Sequence, residues 1–254
     1  GRRDINALSR QNLMESYGIP RVDLFLLFGG SIPCAAELFA DAVREKIAAH
    51  YLIVGGEGHT TESLRRKMAA LCPGLLTEGK SEAEVFAGYL SQKYGISPDY
   101  LETASTNCGN NVTNALELIK KEGLPHDTIL LMQDASMQLR MDAGFRKYLD
   151  AHSRIINFAC YQAEVIVENN ALAFRDNTIT GLWDMERYIT LLMGEIPRLR
   201  DDSEGYGPQG KNFIAHVDIP EHVEKAYVYI KENYGDLTRT ANPAYATSKG
   251  EGSA

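Results

Sequence analysis

The sequence predicts an α/β protein with a parallel sheet of about five strands, helices on both faces, and a helical cap at its C-terminal end. Two observations carry that prediction. Short apolar runs such as Val22-Asp-Leu-Phe-Leu-Leu-Phe28, Tyr51-Leu-Ile-Val54 and Thr128-Ile-Leu-Leu-Met132 are almost unbroken, as strands buried on both faces are. Each is followed by a polar loop and a segment of helical periodicity, a rhythm that right-handed crossovers convert into a parallel, Rossmann-like sheet.

The elements follow in order. Val22–Phe28 is a strand closed by Gly29-Gly30, and Ala35 to Ala49 is helical after Pro33, a first-turn proline. Tyr51–Val54 is the second strand, closed by Gly55-Gly56, and Thr60 to Leu71 is a helix stopped by Cys72-Pro-Gly. Leu75-Leu76 reads as a minor strand. Ser81-Glu-Ala-Glu84 has a capping serine and first-turn acids, so a helix starts there and runs to Tyr94. Tyr100–Thr103 is a strand and 105–110 a polar loop. A helix follows from Asn111 to Glu122, ended by Gly123 and Pro125. Thr128–Met132 is the central strand, Ser136–Leu149 a helix and Arg154–Ala159 a further strand.

From Tyr161 the rhythm breaks. Trp183–Met193 is helical, Glu195–Gly210 is a charged, Gly- and Pro-rich loop, Phe213–Asp218 an edge strand and Pro220–Tyr234 a helix. No linker divides the chain. Residues 1–220 are read as one α/β domain with its cap, 221–234 as a C-terminal helix, and 235–254, poor in apolar residues, as a disordered tail.

Composition narrows the function. A net charge of -8 repels a phosphate backbone, which argues against nucleic acid as partner and for a small-molecule ligand. Cys34, Cys72, Cys108 and Cys160 form no CxxC pair and no zinc-like spacing with histidine, so no metal is expected. Reduced thiols, no membrane-length apolar run and no apolar segment after Gly1-Arg-Arg-Asp give the expectation of a cytoplasmic protein.

In open parallel sheets ligands bind outside the carboxyl ends of the strands. That rule selects Gly29-Gly-Ser31, Gly55-Gly-Glu-Gly-His-Thr-Thr61, Ser105-Thr-Asn-Cys-Gly-Asn-Asn111 and Gln133-Asp-Ala-Ser-Met-Gln-Leu-Arg140. Gly29, Gly30, Gly55, Gly56 and Gly58 either serve strand-to-helix turns or bring backbone amides against a phosphate or carboxylate. No full G-x-G-x-x-G fingerprint is present. Glu57 and His59 are candidates for acid–base work or a ribose contact. Ser105, Thr106, Asn107 and Asn111 exceed what one helix cap needs, and the excess suggests a polar ligand. Cys108, near a helix start, is a candidate nucleophile. Gln133 and Asp134 end the central strand. Arg140, one turn into its helix, either clamps a ligand anion or forms an ion pair. The segment 198–208, with Gly205-Tyr-Gly-Pro208, is a solvated connection or a lid, and His216 lies just beyond it.

Together these loops resemble the bacterial YdcF-like branch of the SanA/ElyC family. Over Val22 to Pro220 the resemblance rests on Ser105-Thr-Asn-Cys-Gly-x-Asn111, on Gln133-Asp-x-x-Met-Gln-x-Arg140, on Gly181-Leu-Trp-x-x-Glu-Arg-Tyr188, and on Pro197-Arg-Leu-Arg-Asp-Asp-Ser-x-Gly-Tyr-Gly-Pro208. It implies a Rossmann-like fold and S-adenosyl-L-methionine as ligand. Relatives often carry an acidic residue where Asn110 stands and a histidine where Met137 stands, so chemistry done by those groups is lost or changed here. The membrane association of SanA and ElyC is not carried over.

The leading functional expectation is binding of S-adenosyl-L-methionine or a nucleotide-like ligand, with a transferase activity. A hydrolase or transferase of phosphate esters or envelope precursors, using Glu57, His59, Asp134 and Arg140, is the second. A non-catalytic metabolite sensor acting through the 195–210 loop is the third.

Overall fold

The computed structural model describes residues 1–30, 32–150, 152–235 and 237. Ser31 and almost all of the tail expected from 235 onward lie outside the described residues.

The strands β1 (Val22–Phe28), β2 (Ala48–Val54), β3 (Tyr100–Glu102), β4 (Thr128–Met132) and β5 (Arg154–Asn157) form one sheet in the order β3-β2-β1-β4-β5. All its pairings are parallel, with Leu24 opposite His50 on one side and Ile129 on the other. Successive residues of a strand face opposite sides, so β1 feeds two cores. Phe25 and Leu27 join Leu13, Phe39, Met68, Phe86, Tyr89 and Leu191 in one. Leu24, Leu26 and Phe28 join Val112, Ala115, Ile119, Met141 and Phe145 in the other. The first core thus lies under α1 (Arg10–Tyr17), α2 (Cys34–Arg44), α3 (Thr61–Leu71), α4 (Glu82–Tyr94) and α7 (Met185–Leu199), and the second under α5 (Cys108–Lys121) and α6 (Gln138–Tyr148). This is the α/β, Rossmann-like architecture that the apolar runs require. The last helix, α8 (Glu221–Tyr234), completes the C-terminal cap.

Tertiary contacts moved several boundaries. The helix expected to reach Ala49 ends with Glu45 as its cap, Lys46 turns at φ 53°, and Ala48–His50 pair with β1 instead. Leu75-Leu76 is not a strand, and Leu76 is exposed. Phe213–Asp218 is not an edge strand: its amides turn inward, Ala215 to the Ala143 carbonyl and Ile214 to that of Tyr206. α5 begins earlier than expected because Asn107 caps it, accepting the Asn110 amide. α7 runs through Pro197 to Leu199, where a loop was expected. Leu199 packs on Ala143 of α6 and Glu195 pairs with Arg140, and these contacts sustain the last turn despite the proline.

The elements read from the sequence begin at Val22: α1, which Ser9 caps and Gly18 ends, went unread, as did a pair of strands. β6 (Val165–Glu168) and β7 (Ala171–Phe174) form an antiparallel hairpin through Asn169-Asn170, whose φ values of 50° and 59° are those of a type I′ turn.

Candidate functional site

The sheet order reverses direction at β1: the chain leaves β1 toward β2 on one side, whereas β4 and β5 lie on the other. The carboxyl ends of β1 and β4 are therefore where a crevice opens in this architecture. The selected loops meet there. A methyl group at Gly30 would lie 3.0 Å from Met137 Cε and 3.5 Å from Thr60 Oγ1, and Cys108 Sγ is 3.9 Å from Met137 Sδ. The Gln133 side-chain amide donates to the Gly29 carbonyl at 3.0 Å, and the Gly56 amide donates to Ser105 Oγ at 3.0 Å.

The glycines have a different role from the expected anion cradle. Gly29 donates its amide to Val54, Gly55 to Glu102, Gly56 to Ser105, Gly58 to Thr61 Oγ1, and Gly30 to the Glu82 carboxylate. All five amides are committed inside the protein. What demands glycine is close approach: a Cβ at Gly29 would sit 2.2 Å from Glu82 Oε2, and one at Gly56 would sit 2.1 Å from the Ser105 carbonyl.

Glu82 is the centre of this packing and was read from the sequence only as a first-turn acid. It is 5% exposed, and Thr60 Oγ1 and Thr61 Oγ1 donate to its Oε1 at 3.0 and 2.9 Å. Burial raises its pKa above the ordinary carboxylate value, against the hydrogen bonds from Thr61, Thr60 and the Gly30 amide. Nothing local distinguishes such a glutamate from a solvated one. Its burial follows from the docking of α4, whose first amides reach the Gly55 and Gly56 carbonyls.

Asp134 is fully buried and already surrounded by donors: the Ser136 amide and hydroxyl, Tyr161 Oη at 2.8 Å and Trp183 Nε1 at 2.8 Å. Burial raises its pKa against those four donors. Oδ1 takes three of these donors and Oδ2 only Trp183 Nε1, so the carboxylate ties the turn into α6, the segment after β5 and the segment before α7 together. Trp183 reaches it from the segment before α7, which packs on α2 and α3. There the Thr180 carbonyl accepts the Cys34 amide, the Gly181 carbonyl accepts Lys67 Nζ at 2.7 Å, and that ammonium lies 4.2 Å above the indole.

Arg140 is equally committed. Its fork meets Glu195 of α7, both residues nearly buried. Burial opposes its charge, but neighbouring Cys108 and Glu195 outweigh that and hold the guanidinium's pKa above its usual range. The anion clamp is thus turned on the protein's own carboxylate. Glu57 is exposed and pairs with Arg65, and His59 is exposed on the same loop.

The 105–111 loop keeps side chains within reach of the crevice. Thr106 Oγ1 and Asn107 Nδ2 both donate to Asn110 Oδ1, and all three residues are half-buried. Ser105 and Asn111 are buried, the first as acceptor for Gly56. Beneath them Glu102 accepts the Ala104 and Ser105 amides and Asn114 on Oε1, while its buried Oε2 has no hydrogen-bond partner among the described residues.

The 198–208 segment exposes Asp202, Ser203, Glu204 and Pro208 and anchors itself through its backbone. Tyr206 exchanges backbone hydrogen bonds with Arg198 and Ile214, and a Cβ at Gly205 would lie 2.0 Å from the Arg200 carbonyl. Leu199, Ile214, Val217 and Tyr206 close a small core on Ala143 of α6.

Elsewhere, a cavity of about 330 Å³ beside the start of β5 is lined by Arg2, Asp142, Arg146, Ser153 and Ile155, and both arginines already face Asp142. Among the described residues no cluster of His, Cys, Asp and Glu could hold a metal ion, and no helix is long and apolar enough to cross a membrane.

Fold and site together define a Rossmann-like α/β protein in which sulfur and short polar side chains meet at the carboxyl ends of β1 and β4, with its glycine amides turned inward. No family model matches the chain.

Proposed function

We propose that the protein binds S-adenosyl-L-methionine or a closely related adenosyl ligand at the carboxyl ends of β1 and β4, and uses it in group transfer. The observation that carries the reading is the charge inventory of the crevice. The glycine amides, Arg140 and the Cys34 amide at the start of α2 are all engaged within the protein, so the groups that would hold a pyrophosphate are spent. Thr106, Asn107 and Asn110, neutral groups bonded to one another, stand there with Cys108 and Met137, residue types suited to ribose hydroxyls, an adenine face and a thioether chain. A sulfonium ligand fits such surroundings better than a nucleoside polyphosphate. The same inventory weighs against phosphoester hydrolysis, because Asp134, Arg140 and Glu57 each already have partners.

The test uses the chain's single tryptophan. Trp183 is 8% exposed and bonds Asp134 just beyond β4, so its emission reports on occupancy of a site there. S-adenosyl-L-methionine, S-adenosylhomocysteine and adenosine should change that emission and raise the melting temperature, with ATP and inorganic phosphate inactive. Thr106→Val should weaken binding about fivefold through one lost hydrogen bond. No response to any adenosyl compound at millimolar concentration ends the proposal. Product analysis after prolonged incubation with acceptor mixtures separates transfer from metabolite sensing, in which the ligand binds and returns unchanged.

A further inference from the structure

Two cysteines that the ligand reading leaves unused lie against each other. Cys34 is the first residue of α2, and Cys160 follows β5, its amide donating to the Gln133 carbonyl at 2.9 Å. Separated by 126 residues, they are brought together by the sheet: Cys34 Sγ is 3.6 Å from the Cys160 carbonyl oxygen, and the Cys34 thiol also interacts directly with the Cys160 thiol. A disulfide needs Cβ atoms about 3.8 Å apart, a separation set by the backbone, after which rotation about Cα–Cβ turns each sulfur toward the other. Arg3 stands beside both. Its guanidinium lies 4.1 Å above the Phe158 ring, its Nε donates to the Ala159 carbonyl at 2.8 Å, and its charge acts on both sulfurs. Cys34 is 8% exposed and Cys160 3%, so the surface side of the pair is Cys34.

We propose that Cys34 and Cys160 form a reversible disulfide that locks α2 to the segment after β5, with a peroxide as oxidant. The Cys34 thiolate attacks one peroxide oxygen, breaking the O–O bond and giving a sulfenic acid with release of water. The Cys160 sulfur then displaces the sulfenic hydroxyl as a second water and forms the S–S bond. Two thiols lose two electrons and two protons, and one hydrogen peroxide is reduced to two waters. A dithiol reductant restores the pair by exchange. This site stands apart from the adenosyl reading and neither needs it nor supports it.

The experiment treats the full chain with hydrogen peroxide, alkylates it under denaturing conditions and maps the peptides. Two fewer alkylated cysteines, with a reducible crosslink joining the peptides of Cys34 and Cys160, is the expected result. Closing so long a loop should raise the melting temperature by at least about 5 °C relative to reduced protein. Cys34→Ser and Cys160→Ser should each lose the crosslink and the shift, and Cys72→Ser and Cys108→Ser should keep both. Should serine prevent folding, alanine replaces it, and the wild-type crosslink map decides by itself. Four alkylated cysteines after peroxide, terminal oxidation at Cys34 without a crosslink, or a crosslink through Cys108 would each overturn the proposal.

Discussion

Arg140 and Glu195 form a bidentate ion pair, Nε to Oε2 at 2.5 Å and Nη2 to Oε1 at 2.7 Å, that ties α6 to the last turns of α7. The relationship settles two questions at once: why the arginine does not present itself as an anion clamp, and why a helix continues through Pro197.

Removing one partner strands the other. Glu195→Ala leaves a guanidinium in a nearly buried site and should cost about 3–5 kcal/mol in urea unfolding. Replacing both, Arg140→Met with Glu195→Leu, should return stability to within about 1 kcal/mol of wild type or above it. A double variant as unstable as the single one would show that the pair's worth lies in packing.

Glu82 gives a signed pH dependence. Its folded pKa is raised above the ordinary 4.5, so the native state holds a proton that the unfolded chain has released. Its contribution is therefore complete below pH 4.5 and declines as pH rises through the folded value. Asp134 acts in the same direction, so the comparison must be between variants. Glu82→Gln should gain stability relative to wild type as pH rises across that window, measured by thermal melts from pH 4 to 8. A difference independent of pH would contradict this.

The inward-turned glycines make a steric prediction. A Cβ at Gly56 meets the backbone of Ser105 and Thr103, whereas one at Gly58 has only an ordinary contact at 3.4 Å. Gly56→Ala should therefore cost about 1–3 kcal/mol or more. Gly58→Ala should stay within about 0.5 kcal/mol. Equal urea midpoints for the two would remove the packing argument.

His216 sits between two aspartates, Nδ1 to Asp201 at 2.7 Å and Nε2 to Asp218 at 3.1 Å. Asp201 first and Asp218 second raise its pKa above 6.5. The stabilisation this represents is fully present below the unfolded value and is lost as pH rises through the folded one. Proton NMR titration should place His216 above 6.5, and Asp201→Asn should lower it more than Asp218→Asn. At so exposed a site the pKa is the decisive readout, since screening leaves little for a stability assay to detect.

Much of the fold was legible because it depends on local pattern. A strand buried on both faces has to be apolar throughout, and three apolar runs announced β1, β2 and β4, while β3 and β5, with Leu101 and Arg154 exposed, were legible from the alternation around them. Glycine after β1 and β2 also announced itself, but its reason did not. A glycine that frees an amide for a ligand and a glycine that makes room for a buried glutamate have the same letter and the same flanks. The hairpin at Asn169-Asn170 carried a usable signal, paired asparagines between short β-branched and apolar runs, and was overlooked once the alternating rhythm had ended.

By itself the sequence determined the α/β class, the rough span of the elements from β1 to β5, and the four loops that meet at one end of the sheet. Periodicity and apolar runs are properties of neighbours along the chain. Only the tertiary structure decided which charges are spent: Arg140 on Glu195, Asp134 on Tyr161 and Trp183, and the glycine amides on Glu82, Ser105 and the β-sheet. Those partners come from elements far apart in the chain, and whether a polar group is free for a ligand depends on what is folded against it.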